Sequence, residues 1–188
     1  GGSSDAAAVI LGLAKLWKLS FADEELVDIG KALGADVPFF LKEDVFAFGK
    51  GRGDELAKLG WNVNLWHLIV SFPVKLLSRD IYEAYKKKRS SGLTNKRGIT
   101  TILSPTVRKV TFHAITRILR NDLEACVLDK EPLVGTIKRS LKIINITHSL
   151  VSGSGPSVFG LCNGRKEAER ARERLVKRFP FVRDKGWH

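Results

Sequence analysis

The chain has 188 residues, and 32 Lys+Arg against 20 Asp+Glu give a formal net charge of +12. With 44% hydrophobic and 28% charged residues, its composition is that of a folded protein and excludes a disordered chain. No apolar run approaches the roughly 20 residues that span a bilayer, and Cys126 and Cys162 alone exclude a disulfide framework. The N-terminus has neither the basic region nor the cleavage pattern of a signal peptide. The expectation is a soluble, cytoplasmic protein with two small buried thiols. Met is absent even at position 1, so the chain is expected to be a fragment.

In chain order, Ser4 to Leu19 carries a helical pattern with Val9, Leu13, Leu16 and Trp17 at three- and four-residue steps. Ser3, Ser4 and Asp5 suit an N-cap and first turn, so the helix is expected to begin just after the glycine pair. Ala22 to Leu33 predicts a second helix, acidic at its start and ended by Gly34. A turn, Ala35-Asp36-Val37-Pro38, then runs into an apolar patch. Val45 to Phe48 and Leu65 to Phe72 predict strands, with Gly49-Lys50-Gly51-Arg52-Gly53 as a turn and Gly60 to Asn64 as a domain junction.

Ser78 is placed to cap a helix through about Lys88, and Lys86 to Gly98 predicts a basic exposed loop. Thr106 to Leu119, Asp122 to Leu128 and Pro132 to Lys142 have helical spacing, and Ile143 to Val151 alternates like a strand. Ser152-Gly153-Ser154-Gly155-Pro156 joins that segment to a strand over Ser157 to Cys162. Arg165 to Phe179 predicts a charged amphipathic helix, and Gly186 to His188 the start of a last strand. Strands and helices mix without regular βαβ alternation, which predicts an α+β architecture.

Three glycine-bearing segments are candidates for chemistry. Gly1-Gly2-Ser3-Ser4 heads a helix, where unpaired N–H groups and the positive dipole end favour an anion; a capped helix after a flexible end fits the same residues. The Gly49 to Gly53 run has the spacing of a turn rather than of a dinucleotide fingerprint. Ser152 to Pro156 suits either a tight hairpin or a nest of N–H donors for an anion. Asp36 is the carboxylate in the most apolar surroundings, a turn cap or a functional acid. His67, His113, His148 and His188 lack metal-ligand spacing. Asn145-Ile146-Thr147 falls in an expected strand and carries no glycosylation reading.

Together, Gly1 to Ala8, Leu33 to Leu41, Ala47 to Gly53, Asn121-Asp122-Leu123-Glu124 and Ser152 to Gly160 occur in the order seen in the GHMP kinases. The chain resembles the branch that phosphorylates the C2 hydroxyl of a cytidine-diphosphate-linked methylerythritol on the route to isoprenoid precursors. The resemblance implies an α+β GHMP kinase fold: a partial N-terminal ATP-binding domain over 1–60 and a ferredoxin-like α/β C-terminal domain over 61–188. It implies ATP with Mg2+, with Gly1, Gly2, Ser3 and Ser4 on the phosphates and Asp36 as catalytic base. Ser78, Gly153, Ser154 and Gly155 would contact phosphate or substrate, and Tyr82 would stack on cytosine.

The family's opening segment, with its catalytic Lys and the first half of its ATP loop, has no counterpart here, so the chain is expected to be inactive alone, as a monomer or homodimer. Position 36 and the amides heading the first helix should line one crevice. Two other readings stand beside this one: a GHMP kinase for another small alcohol, and a basic RNA-binding module using Lys86 to Arg89, Lys96, Arg97 and the Arg165 to Arg178 helix.

Overall fold

The computed structural model describes residues 1–42, 45–51, 53, 55–71, 73–90 and 110–179. Two compact units are present: the described residues of 1–62 with Val110, and those of 63–90 and 111–179. Among the described residues no helix is long and apolar enough to cross a membrane.

The first unit opens with three packed helices, α1 (Gly2–Leu16), α2 (Asp23–Leu33) and α3 (Val37–Leu41). Helix α1 starts earlier than its residue preferences suggest, taking in Gly2 with Gly1 as N-cap. Its apolar stripe is not its packing face: Leu16 and Trp17 are 71% and 62% exposed, whereas Ala7 is buried. The small side chain at Ala7 lets the backbones approach closely. At α2 the Glu25 carboxylate accepts the Ala22 N–H at 2.8 Å, satisfying one of the unpaired donors of the first turn. Gly34 does end α2, but in extended backbone with φ 172 rather than the left-handed form.

The expected turn and apolar patch after Asp36 is instead helix α3, with Pro38 in its first turn, where a missing N–H costs nothing. Strands β1 (Ala47–Lys50) and β2 (Glu55–Lys58) form an antiparallel hairpin; β2 had no sequence signal of its own. Gly51 and Gly53 adopt φ 62 and 95 in its turn, which is the reading the glycine spacing supports. The Leu59 N–H extends the pairing to Phe46 O at 3.0 Å.

Among the described residues, the second unit is built on three antiparallel strands in the order β3 (Trp66–Val70), β5 (Val158–Cys162), β4 (Ser149–Val151). Leu68 pairs with Gly160 and Val70 with Val158, while Ser149 and Val151 meet the same two β5 residues from the other side. One face of the sheet therefore presents Leu68, Val70, Val151, Val158 and Cys162 to the core, and the alternate residue Ile69 stays 67% exposed.

The core face is covered by α4 (Ser78–Ser90), α6 (Glu124–Lys130), α7 (Pro132–Ile143) and α8 (Arg165–Arg178), which bury Ile81, Val127, Ile137, Leu141 and Leu175. Helix α5 (Phe112–Ile118) begins at Thr111, whose hydroxyl accepts the Ala114 N–H at 3.2 Å. Helix α7 begins at Glu131, whose carboxylate accepts the Leu133 N–H.

Several boundaries differ from the sequence reading. Lys86 to Ser90 stays helical because α4 continues through it; 91–98 lie outside the described residues, as do the first positions of the expected helix from Thr106 and the expected strand start at 186–188. Only Ser149–Val151 of the expected strand from Ile143 is extended. The preceding residues finish α7 and turn through Asn145 at φ 72, so the Asn145-Ile146-Thr147 triplet lies in a connection. The turn delivers Ile146 into the core.

Ile146 meets the sheet at Gly160, where a Cβ would lie 2.4 Å from Ile146 Cγ2. Because that methyl is fixed to a β-branched stem, it cannot swing away cheaply. Gly160→Ala should lower stability by about 1–3 kcal/mol, the usual cost of overpacking, read as a fall in the denaturation midpoint.

Both thiols are buried. Burial pushes the Cys162 thiol up from about 9 to about 11, with the Glu167 carboxylate adding to the effect. The folded chain thus favours the neutral thiol, a contribution present below pH 9 and lost as pH rises through 11. Iodoacetamide at pH 8.5 should therefore alkylate Cys162 on the order of a hundredfold more slowly in the folded chain than in urea.

Candidate functional site

The first unit carries Gly1 to Ser4 and Asp36, and the second carries Ser78, Tyr82 and Gly153 to Gly155. At the head of α1 the first helical hydrogen bond runs from Asp5 N to Gly1 O at 3.0 Å. The N–H groups of Gly2, Ser3 and Ser4 therefore have no intrahelical acceptor. Neither serine caps the helix; the Ser4 hydroxyl donates back to Gly1 O at 2.6 Å. A Cβ at Gly1 or Gly2 would meet no described atom within 4 Å, so an anion has room to reach this backbone.

Asp36 occupies the N-cap position of α3 but makes no capping bond. Its carboxylate is exposed and has no hydrogen-bond or ion-pair partner among the described residues. The turn-capping role is thus not taken up, and both oxygens remain available to an external donor. Helices α1 and α3 pack directly on each other.

In the second unit, Ser78 is the first residue of α4 rather than its cap. Leu77 O accepts the Asp80 and Ile81 N–H groups at 3.0 and 3.3 Å, which frees the Ser78 side chain. Its hydroxyl lies 2.8 Å from that of Ser154. Tyr82 follows one helical turn along the same face and is 53% exposed. The structure therefore brings Ser78, Tyr82 and the glycine loop into one neighbourhood.

The loop itself is closed by two internal bonds, Ser152 N to Ser157 O at 2.8 Å and Gly155 N to Ser152 O at 2.9 Å. The N–H groups of Gly153 and Ser154 have no acceptor among the described residues. Gly153 and Gly155 take φ 55 and 76, backbone that side-chain-bearing residues rarely adopt. Gly155 also presses on the core: a Cβ there would lie 2.9 Å from Val127 Cγ1. Residues 152–157 are thus a shaped turn with two backbone donors left without an acceptor among the described residues, which an anion nest requires.

In the sequence, Asn121-Asp122-Leu123-Glu124 is a mark of the resemblance with no task attached to it. The Asn121 side-chain amide donates to Val151 O at 2.8 Å and Gly153 O at 2.7 Å, while its oxygen accepts the Leu123 N–H at 3.0 Å. Asp122 accepts the Tyr85 hydroxyl at 3.4 Å and pairs with Arg120. Leu123 is buried. The Glu124 carboxylate accepts from Lys138 Nζ at 2.5 Å and from Val151 N at 2.9 Å.

A cavity of about 570 Å³ lies beside Ser78, lined by Lys75, Leu76, Leu77, Asp80, Ile81 and Lys130. A second, of about 580 Å³ in the first unit, contains none of the expected site residues. Among the described residues no group of three His, Cys, Asp or Glu side chains is arranged to hold a metal ion. On α8 the basic residues lie opposite buried Ala168, Ala171 and Leu175, and Arg165 pairs with Glu169 at 2.8 Å. That is the solvated face of an amphipathic helix, and the RNA-binding reading gains no support from it.

Two family models match the chain: GHMP kinases N terminal domain over residues 1–44 and GHMP kinases C terminal over residues 107–180. A 4-diphosphocytidyl-2-C-methyl-D-erythritol kinase of Pelobacter propionicus is 36% identical over 94% of this chain and 60% of its own length. The corresponding kinase of Lachnoclostridium phytofermentans is 35% identical over 91% of this chain and 57% of its own. A crystal structure of 4-(cytidine 5'-diphospho)-2C-methyl-D-erythritol kinase superposes with a TM-score of 0.70 at 30% identity, over 94% of this chain and 61% of that one. Homoserine kinase of Cytophaga hutchinsonii, at 18% identity and TM-score 0.63, shares the fold over 90% of this chain and 57% of its own. The chain spans about 60% of the length of the curated relatives it matches. With an α+β fold, both family models in their proper order and this likeness along nearly its whole length, the chain belongs to the GHMP kinase family.

Proposed function

We propose that this chain is the larger part of an ATP-dependent kinase acting on the C2 hydroxyl of 4-diphosphocytidyl-2-C-methyl-D-erythritol. On this reading 1–60 belongs to the nucleotide-binding domain and 61–188 is the C-terminal domain. The arrangement around the Ser78–Ser154 hydroxyl pair carries the proposal: two loop amides without acceptors among the described residues, and an exposed aromatic ring one helical turn away. Such a site offers hydrogen bonds to phosphoryl oxygens and a π-face to a base, the two chemistries that a cytidine diphosphate group presents. The names of the relatives specify that substrate.

Phosphoryl transfer asks a protein mainly for positioning and charge stabilisation. The N–H groups of Gly2, Ser3 and Ser4 at the head of α1 meet the nucleotide's phosphates, supported by the helix dipole. Asp36, exposed and without a capping bond, accepts the proton of the attacking hydroxyl. Ser78, Gly153, Ser154 and Gly155 hold the substrate, and Tyr82 stacks on cytosine. A magnesium ion typically binds through the nucleotide's phosphates, several waters and one or two protein oxygens; a dedicated cage is not required.

Titration of the 188-residue chain with cytidine 5'-diphosphate tests the substrate half of the proposal. Tyr82→Ala should weaken binding about tenfold, since stacking of a base is worth roughly 1–3 kcal/mol, while leaving inorganic pyrophosphate binding unchanged. Equal affinity of the unaltered chain for cytidine 5'-diphosphate and pyrophosphate would overturn it. In a full-length protein carrying this chain, Asp36→Asn should lower kcat by roughly 10²- to 10⁴-fold, the usual scale of general base catalysis, with little change in ATP binding.

A further inference from the structure

The two donors in the glycine loop are useful only if the loop keeps its shape; one of its own backbone bonds closes its neck and the other its turn, but neither engages the Val151 or Gly153 carbonyl. What fixes the rest comes from one stretch of four residues. The Asn121 amide spans two carbonyls, Val151 O at the end of β4 and Gly153 O inside the loop. Both are main-chain acceptors, so the tie sets backbone position whatever side chains the loop carries. Glu124 takes the Val151 N–H, so that residue is gripped through both its N–H and its C=O. Glu124 is itself aimed by Lys138, whose ammonium also donates to Ser149 O at 3.0 Å. Asp122 reaches the other side of the site by accepting the Tyr85 hydroxyl of α4, the helix that presents Ser78 and Tyr82.

We infer that Asn121 and Glu124 are positioning residues for the glycine loop. They hold residues 151–153 by the main chain, so that the Gly153 and Ser154 amides and the Ser154 hydroxyl stand ready beside Ser78. The inference rests on the proposed function only for what the loop binds; that the loop is clamped in this way stands on the hydrogen bonds alone. Asn121→Asp is the selective variant. Its retained oxygen still caps the Leu123 N–H, but a carboxylate oxygen replaces the NH2 and repels the two carbonyls.

Amide hydrogen exchange on the 188-residue chain reads the result. In Asn121→Asp the Ser152 and Gly155 amides should exchange roughly tenfold faster or more, because two hydrogen bonds that restrain their loop are lost. The Ile137 and Leu161 amides, in α7 and β5, should stay within about twofold. Unchanged loop exchange overturns the inference, and so does a uniform acceleration of every amide, which would mark a purely structural role. If Asn121→Asp does not fold, Glu124→Gln carries the same measurement, and failure of both to fold also overturns it. Inorganic pyrophosphate binding, measured alongside, should weaken in step with loop exchange. A chain that shows the exchange pattern but binds no pyrophosphate keeps the clamp and removes the function proposed for it.

Discussion

The Glu124 carboxylate is the constraint around which the second unit is organised. It is partly buried, with Lys138 beside it and the Val151 N–H as its second donor. Removing either donor would leave a partly desolvated carboxylate without one of its two partners, which is destabilising. The geometry has consequences beyond its energy. Lys138 belongs to α7, Glu124 to α6 and Val151 to β4, so a single carboxylate fixes two helices and an edge strand in register. Ser149 O, also bonded to Lys138, ties the other end of the same three-residue strand. The three-residue strand thus has a side-chain hydrogen bond at each end beside its ladder with β5.

Close packing does the rest, and it does so through absent side chains. Gly160 in the central strand leaves room for Ile146, and Gly155 in the loop leaves room for Val127. In each case a methyl from a helix or connection fills the space that a Cβ would need, so sheet and loop sit directly on the apolar core. The inner side of the glycine loop is therefore packed against Val127, Val151 and Leu76, while a Cβ at Gly153 would meet nothing within 4 Å.

Much of this was legible in the residues, and the exceptions are instructive. The Gly49 to Gly53 turn, the loop at 152–156 and helix α8 follow from local chemistry: glycines where φ must be positive, and an amphipathic period that tertiary contacts leave intact. Helix α1 misleads because periodicity marks which residues share a face, not which face is buried. Its stripe of Val9, Leu13, Leu16 and Trp17 is regular, yet the small Ala7 is the residue that packs. The segment Ile143 to Val151 misleads in another way. Its alternation of apolar residues fits a strand, but the run is shared between a helix end, a left-handed Asn145 and a short strand, each using one or two of the apolar positions. Strand β2 and helix α3 were invisible because neither is long enough to show a period. Asn121 and Glu124 were recognised as a pattern without a purpose, since their partners lie some 30 positions away and no local rule connects them.

That last failure bears on how the site works. Of the second-unit residues that sequence reasoning singles out, Ser78, Tyr82 and Gly153 are exposed. The residues that determine where they face are a polar set with every group engaged: Asn121 uses both its amide and its oxygen, Asp122 holds Tyr85 and Arg120, and Glu124 holds Lys138 and Val151. A ligand-binding group is most effective when its own partners are already satisfied and cannot rearrange. Here the satisfied layer is drawn from four consecutive residues at the entrance to α6, where a turn naturally points successive side chains in different directions. Asn121 reaches the loop, Asp122 reaches α4, Leu123 enters the core and Glu124 reaches α7 and β4, as successive positions in a turn entering a helix, each rotated by about 100° from the last, can do. One short stretch at the entrance to α6 is thereby bonded to both elements that meet at the Ser78–Ser154 contact, the glycine loop through Asn121 and α4 through Asp122.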